Sequence, residues 1–232
     1  MHDRVRPGTR PDMRLIIFDI DGTLVAGASS EARFARFLWQ QGALGLRQLA
    51  AFAWFTLRYL PRFGRHVMQK NKAYLSGHSE RHIAALAQRF VADVLPEVLS
   101  PAVIERLRHH QQAGDRVVLL SGTPQFIADA LAEALDVREA IGARCCTENG
   151  VFTAAPPRRH PYGPTKIDAA ETLAAHAKLP LDEAVAFGDS INDAYLFRVV
   201  GEAIAVEPDR RLSREAAGAG WEIITGAAPP TA

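Results

Sequence analysis

The residues with the clearest potential for chemistry are polar side chains that follow short apolar runs. They are Asp19, Asp21, Ser121, Thr123, Asp189, Asn192 and Asp193. The backbone of Gly122 and Lys166, which begins a predicted helix, join them. In open α/β sheets, ligands bind beyond the carboxyl ends of the strands. If the apolar runs are parallel strands, these residues meet in one cleft.

Carboxylates that share a cleft repel one another and raise each other's pKa values unless a cation neutralises them. Mg²⁺ suits such a set, because proteins hold it with one or two carboxylates together with substrate phosphate. Lys166 and the backbone N–H groups after Ser121 and Gly122 supply positive charge for an anion. One aspartate can then attack phosphorus while a second handles the proton. The residue types therefore predict chemistry on a phosphate ester.

The elements that must position these residues alternate between strands and helices. The predicted strands are 15–18, 117–120, 184–187, 203–206 and, as a candidate fifth, 221–224. The predicted helices between them are 102–113, 125–135 and 166–177. This alternation predicts an α/β fold, with a Rossmann-like three-layer α/β/α core and a parallel sheet. A small hairpin is expected over 142–154, with its turn at Glu148-Asn149-Gly150.

One segment, from Ser30 to about Leu95, breaks the alternation. Its helical patterns are 30–41, 44–60 and 79–93. They predict an all-helical insert after the first strand. The expected organisation is a catalytic core of 13–27 plus 96–226, a helical cap of 28–95, and flexible termini at 1–12 and 227–232.

Four motifs in this order resemble those of the haloacid dehalogenase superfamily. Asp19-Ile20-Asp21-Gly22-Thr23 is similar to the first motif, and Ser121-Gly122-Thr123 and Lys166 are similar to the second and third. Gly188-Asp189-Ser190-Ile191-Asn192-Asp193 resembles the fourth. The resemblance spans residues 14 to about 224, and the helical insert looks like a type C1 cap. These features are similar to subfamily IB, the phosphoserine-phosphatase-like branch.

This resemblance implies a Mg²⁺-dependent phosphatase that hydrolyses a small phosphomonoester through an aspartyl-phosphate intermediate. Asp19 would be the nucleophile, and Asp21 would protonate the leaving alcohol and then activate water. The implied phosphate-binding residues are Ser121, Gly122, Lys166 and Asn192. The implied metal site consists of Asp19, the backbone carbonyl of Asp21, Asp189 and, behind the direct ligands, Asp193.

The sequence departs from that branch at one position. Phosphoserine phosphatases of the branch carry a cap-side glutamate nine positions after the nucleophile, which helps to hold the substrate's amino group. Ala28 stands there in this sequence, which argues against phosphoserine as the substrate. Glu31, one helical turn further on, is the candidate replacement. Lipid phosphates, amino-alcohol phosphates and sugar phosphates all stay open.

The amino-acid composition limits the classes of partner and the cellular compartment that we expect. The 232 residues include 27 Lys and Arg and 26 Asp and Glu, a net charge of +1, which argues against nucleic acid as a partner. The adjacent Cys145 and Cys146 have neither disulfide-framework nor zinc spacing and fit a reducing compartment. The start lacks a secretory pattern, and the longest uncharged apolar stretch is too short to span a bilayer. A cytoplasmic enzyme is expected, with its oligomeric state open.

Two alternatives to a hydrolase remain. A phosphotransferase would use the same intermediate and pass the phosphoryl group to an alcohol or sugar. A catalytically idle membrane-surface or partner-binding module is suggested by the aromatic and arginine-rich segment 34–63. We favour a cap with its own small core and snorkelling arginines over membrane contact for that segment.

Overall fold

Eight β-strands lie in the computed structural model, which describes residues 13–226; the predicted flexible termini, 1–12 and 227–232, lie outside the described residues. The strands are β1 (Leu15–Phe18), β2 (Arg116–Pro124), β3 (Ala140–Ala143), β4 (Thr147–Glu148), β5 (Val151–Phe152), β6 (Val185–Gly188), β7 (Glu202–Val206) and β8 (Glu222–Ile224). Six of them form one parallel sheet in the order β3-β2-β1-β6-β7-β8, while β4 and β5 form a separate antiparallel pair.

Nine α-helices are described between residues 13 and 226. They are α1 (Ser30–Gln40), α2 (Leu46–Phe63), α3 (Val67–Lys70), α4 (Glu80–Asp93), α5 (Pro101–Ala113), α6 (Gln125–Ala134), α7 (Thr165–Ala177), α8 (Ala194–Phe197) and α9 (Arg210–Ala219). Short 3-10 turns lie at Gly64–His66, Ala73–Leu75, Leu95–Glu97 and Leu181–Glu183. In the described part of the chain, no helix is long and apolar enough to cross a membrane.

Helices cover both faces of the sheet, as the continuous apolar strands require. In β1, Ile16 and Phe18 face a cluster shared with α1, α4, α5 and α6. Leu15 and Ile17 face the opposite cluster, shared with α7, α8 and α9. The side chains alternate because successive residues of a strand point to opposite faces. The predicted three-layer α/β fold is confirmed.

The predicted hairpin over 142–154 is wrong in its extent. Its first residues belong to β3, which pairs parallel to β2 at the edge of the main sheet. The hairpin itself is only β4 and β5, and its turn residues Asn149 and Gly150 both have positive φ, as a type I′ turn requires. A four-residue strand with Gly142 in it resembles a hairpin arm in sequence. At Gly142, a Cβ atom would lie 2.6 Å from the Thr123 carbonyl oxygen, so the neighbouring backbone needs glycine there.

The strand β2 is longer than predicted. It runs to Pro124, so Ser121, Gly122 and Thr123 lie at its end rather than in a loop after it. The pairing with β3 is irregular between Leu120 and Pro124, where the register shifts. The polar side chains therefore stand on a supported strand, directly before α6.

The helical segment between β1 and β2 packs in two ways. The ring centroid of Phe34 in α1 lies 5.4 Å from those of Phe90 in α4 and Phe126 in α6. These helices therefore belong to the apolar cluster on one face of the sheet. Beneath α2, Phe55 and Val67 are buried in a small separate cluster. The division into a core and a cap stays a prediction.

Asp209 caps α9 and also forms hydrogen bonds with the backbone of the loop that follows β6. Its Oδ1 accepts hydrogen bonds from the backbone N–H groups of Arg211 and Leu212 at 2.8 Å, and its Oδ2 accepts one from Ile191 at 3.0 Å. Its own N–H donates to the Asp189 carbonyl at 2.8 Å. Burial disfavours the charged form, but these N–H donors outweigh it and lower the pKa of Asp209.

We expect Asp209→Ala to lower the free energy of unfolding by about 1–2 kcal/mol at pH 7, because a helix cap is lost. A carboxyl whose pKa is lowered by folding stabilises above its unfolded pKa, and that stability is lost as the pH falls through the folded value. The difference from wild type should therefore shrink below about pH 4. Urea unfolding at pH 7 and below about pH 4 measures this difference in the free energy of unfolding. Asp93→Ala, at an exposed helix C-terminus, is the control; an equal loss there would contradict the capping argument.

Candidate active site

A cleft of about 320 Å³ opens at the carboxyl ends of β1, β2 and β6. Of the eight site residues that the resemblance implies, seven line it: Asp19, Asp21, Ser121, Gly122, Lys166, Asp189 and Asn192. The eighth, Asp193, is buried directly behind and bonded to Lys166. Parallel strands bring these residues together although up to 174 positions separate them in the sequence, from 19 to 193.

A larger hollow of about 510 Å³ lies at the start of β2, beside Asp115, Arg116 and Arg138. It is at the amino ends of the strands, the side from which open α/β sheets do not bind their ligands. The smaller cleft is therefore the better candidate site.

Lys166 ties two of the carboxylates together. Its Nζ donates to Asp19 Oδ1 at 2.9 Å and to Asp193 Oδ1 at 2.5 Å, and all three side chains are buried. Burial alone would lower the pKa of Lys166, but Asp19 and Asp193 outweigh it and raise that pKa. The ammonium group therefore keeps its charge.

Three carboxylates crowd together beside this ammonium group. Oxygens of Asp19, Asp189 and Asp193 lie within 4.8 Å of one another. Burial raises the pKa of Asp19 despite Lys166, and burial with the charges of Asp19 and Asp193 raises the pKa of Asp189. The geometry thus concentrates negative charge beyond what one lysine neutralises. Oxygen donors at this density suit a hard divalent cation.

Both carboxylate oxygens of Asp193 accept hydrogen bonds. While Oδ1 accepts from Lys166, Oδ2 accepts from the backbone N–H groups of Asp189 and Ser190 at 3.2 and 3.0 Å and from the Ser190 hydroxyl at 3.1 Å. By contrast, Asp19 Oδ2 accepts no hydrogen bond from any residue of the described range 13–226. Asp193 therefore orients its neighbours, and Asp19 keeps an oxygen open to the cleft.

Asp21 stands between the sheet and the first helix. Its Oδ1 accepts from the backbone N–H of Ser30, the first residue of α1, at 2.6 Å, and its Oδ2 accepts from the Thr123 hydroxyl at 2.7 Å. The hydroxyls of Ser30 and Thr123 are also 3.2 Å apart. The start of the helical segment is thus fastened to the carboxylate at the end of β1.

Two glycines leave room for this packing. Gly22 has φ +84°, and a Cβ atom there would lie 2.1 Å from Asp189 Oδ2. A Cβ atom on Gly188 would lie 2.6 Å from Asp193 Cγ. Both are closer than any side chain allows, so glycine is required at both positions for the carboxylates to approach.

The opposite wall of the cleft contains residues that were not predicted as site residues. Glu31, noted only as a candidate replacement, forms an ion pair with buried Lys72 and accepts a hydrogen bond from the Tyr74 hydroxyl at 3.1 Å. Burial raises the pKa of Glu31 in spite of Lys72. No strand end marks these residues in the sequence, and only the fold brings Lys72 to Glu31.

The imidazole of His160 is largely buried in the wall of the cleft. Its Nε2 lies 3.3 Å from the position that a Cβ atom on Gly122 would occupy. Burial, reinforced by Lys72, Lys70 and Lys166, lowers the pKa of His160 to about 3. The imidazole is therefore neutral at physiological pH.

Comparisons with known proteins agree with this geometry. The haloacid dehalogenase-like hydrolase family matches residues 16–198. The inhibition of morphological differentiation protein of Streptomyces azureus is 30% identical over 213 residues, 89% of this chain and 76% of that protein. Phosphoserine phosphatase SerB1 of Mycobacterium tuberculosis is 29% identical over 212 residues, covering 89% and 68%.

Among solved structures, a protein of unknown function from Bordetella pertussis Tohama I superposes with a TM-score of 0.76 at 26% identity, covering 92% of this chain and 98% of that one. The match to the family covers most of the chain, including the strands that end at the cleft. The chain belongs to the haloacid dehalogenase-like hydrolase family.

Proposed function

We propose that this chain is a Mg²⁺-dependent phosphatase that hydrolyses a small phosphomonoester through a phosphorylated Asp19. One observation carries the proposal: Asp19 presents an open carboxylate oxygen to the cleft, between Lys166 on one side and Asp189 on the other. A nucleophile, a cation for phosphate and a set of metal ligands converge on that point.

The phosphoryl group would bind where the cationic and polar donors meet. Lys166 Nζ is the direct positive contact, and the Ser121 hydroxyl, the Gly122 backbone and the Asn192 amide line the same cleft. Ser121 has only weak hydrogen bonds, of 3.3 Å, to Thr123, so its hydroxyl can turn towards an anion.

Two aspartates divide the covalent steps. Asp19 Oδ2 attacks phosphorus, the bond from phosphorus to the ester oxygen breaks, and protonated Asp21 gives its proton to the leaving alkoxide. Asp21 then takes a proton from water as that water attacks phosphorus, and the bond from phosphorus to Asp19 breaks. Inorganic phosphate leaves, and both carboxyl groups return to their starting states. Ser30 and Thr123 hold Asp21 in position for both proton transfers.

The donor set fits Mg²⁺. Asp19, Asp189 and the backbone carbonyl of Asp21 would hold it, with Asp193 behind them because its own oxygens are already engaged. When bound, Mg²⁺ would neutralise the crowded carboxylates and draw electron density from the phosphoryl oxygens.

The segment 28–95 would act as the cap over the leaving group. Glu31, Gln69 and Lys72 come from this segment and line the cleft. Gln69 Nε2 also donates to the Tyr162 hydroxyl of the core at 3.0 Å, across the mouth of the cleft. A cap in this place would exclude water and select the substrate.

The wall of this cap argues against phosphoserine. Ala28 offers no carboxylate, and both oxygens of Glu31 are already engaged by Lys72 and Tyr74. A substrate ammonium group would have to displace Lys72 from a buried ion pair, which is costly. A leaving group without an ammonium is the better fit, although a relative is named for phosphoserine.

A cytoplasmic setting fits the sulfur chemistry. Cys145 and Cys146 are both free thiols. Burial raises the pKa of Cys145 to about 12, so this thiol is unreactive.

We expect Asp19→Asn to reduce hydrolysis of p-nitrophenyl phosphate with Mg²⁺ by at least ~10³-fold, because the amide cannot attack phosphorus. Acid quenching should trap phosphorylated wild type and no phosphorylated variant. Asp93→Asn, an exposed substitution of the same chemistry, is the control and should keep full activity. Turnover by Asp19→Asn near the wild-type rate would defeat the assignment. Phosphorylated alcohol appearing when acceptor alcohols are added would instead reveal a phosphotransferase.

We expect Mg²⁺ to raise the melting temperature of wild type and to leave that of Asp189→Asn unchanged. Without Mg²⁺ the variant should melt no lower than wild type, because one of three mutually repelling carboxylates has been removed. Thermal unfolding with and without Mg²⁺ measures this independently of activity. Equal stabilisation of both proteins by Mg²⁺ would place the ion elsewhere.

We expect Lys72→Met to shift substrate preference towards ammonium-bearing esters. The substitution keeps much of the side-chain volume but leaves Glu31 without its cation, so a substrate ammonium can take that place. The ratio of kcat/KM for phosphoethanolamine to that for ethyl phosphate should rise about 10-fold or more, measured by phosphate release. Lys70→Met, whose side chain packs over the Phe63 ring, is the matched control. An unchanged ratio would show that this wall does not touch the leaving group.

A further inference from the structure

The outward face of α2 is unusually apolar for a protein surface. Leu46 is 86% exposed and Leu57 78%, and Leu49, Trp54 and Leu60 are each about half exposed. Large exposed apolar side chains occur singly on most proteins, whereas a continuous row of them marks a binding surface. We call these five residues the α2 apolar face.

The helical spacing places these side chains on one side. At about 100° per residue, the exposed apolar positions fall within an arc of about 140°. Phe55 points to the opposite side and is fully buried against the rest of the protein. The solvent-exposed positions of α2 are apolar or arginine: Leu46, Arg47, Leu49, Ala50, Ala53, Trp54, Leu57, Arg58, Leu60, Pro61 and Arg62.

The charge around this face has a single sign. Residues 32–79 contain eight Lys and Arg and no Asp or Glu. Arg47, Arg58 and Arg62 follow one edge of the apolar arc, and none of them forms an ion pair with a carboxylate within residues 13–226. The partner that matches this surface is therefore apolar in its middle and anionic at its edge.

The sequence favours a covered cap for this segment, but the structure leaves this face exposed. We therefore propose that the α2 apolar face docks onto the surface of an anionic phospholipid bilayer. The leucines and Trp54 would enter the boundary between headgroups and acyl chains, while the arginines contact lipid phosphates. A second copy of the chain is a poorer match, because it would bring the same unpaired arginines against each other. A spanning orientation is excluded for α2, since its Phe55 side packs on the protein.

Docking in this way leaves the catalytic cleft on the inner side of α2. Asn71 donates hydrogen bonds to the Phe52 carbonyl at 2.9 Å and to the Thr56 hydroxyl at 3.0 Å on that inner side. Its neighbour Lys72 lines the cleft. Substitutions on the outer face should therefore change lipid binding without changing the hydrolysis of a water-soluble ester.

The test is flotation of the full chain with vesicles. We expect wild type to float with vesicles of phosphatidylglycerol and phosphatidylcholine in equal parts, and to bind phosphatidylcholine vesicles about 10-fold less well. The double variant Leu57→Glu/Leu60→Glu should lose at least ~10-fold in binding to the anionic vesicles. Val199→Glu, an exposed apolar residue outside the helical segment, is the matched control and should bind as wild type does.

A spectroscopic measurement locates the contact. In a Trp39→Phe/Trp221→Phe background, Trp54 is the remaining tryptophan, and its emission should shift to the blue when anionic vesicles are added. Circular dichroism and hydrolysis of p-nitrophenyl phosphate show that each variant is folded.

Three results would overturn the proposal. They are absence of wild type from the floated anionic vesicles, equal binding by the double variant, and a dimer in solution that the double variant abolishes without any vesicle binding. The last would assign the face to a second copy of this chain. All three leave the phosphatase proposal intact, because that rests on Asp19 and its cleft.

Discussion

Crowded negative charge is the constraint on which this structure depends. A buried carboxylate is destabilising unless a positive partner or hydrogen-bond donors compensate for it. Lys166 compensates for Asp19 and Asp193 directly, and backbone N–H groups satisfy the other oxygen of Asp193. What stays uncompensated, at Asp19 and Asp189, is the charge that a metal ion would neutralise. This excess of negative charge is the physical basis of the proposed Mg²⁺ site.

The sheet order explains why such distant residues meet. In this sheet β1 lies between β2 and β6, and all three strands run parallel. Their carboxyl ends coincide, so Asp19, Ser121 and Asp189 share one edge. The rings of Phe18 and Phe187 stack with their centroids 4.2 Å apart and pack β1 against β6. Phe18 precedes Asp19 by one residue, and Phe187 precedes Asp189 by two. Core packing thus helps to set the spacing of the charged groups.

Most strands of the main sheet and most residues that line the cleft could be predicted from sequence, because the aspartates and Ser121 follow buried apolar runs and Lys166 begins a predicted helix. Of the six strands in the main sheet, β3 was missed, since four residues with a central glycine carry no periodicity. The residues of the opposite wall were harder to predict for a different reason. Lys72 and His160 follow no strand, and their place depends on how helices pack over the cleft. Helical periodicity shows which face of a helix is apolar, but not whether that face is covered.

The helix α2 illustrates that last limit. Its apolar residues lie on two sides, one buried around Phe55 and one exposed around Leu57, and periodicity alone assigns both to a core. Residues 32–79, which contain no Asp or Glu, contribute to both the wall of the cleft and the outer face of α2. At the cleft, Lys72 supplies positive charge for the proposed anionic substrate. On the outer side, arginines of the same stretch favour an anionic surface. The same positive charge would therefore serve both proposed roles of this segment. Glu31, which pairs with Lys72 in the cleft wall, lies just outside the stretch.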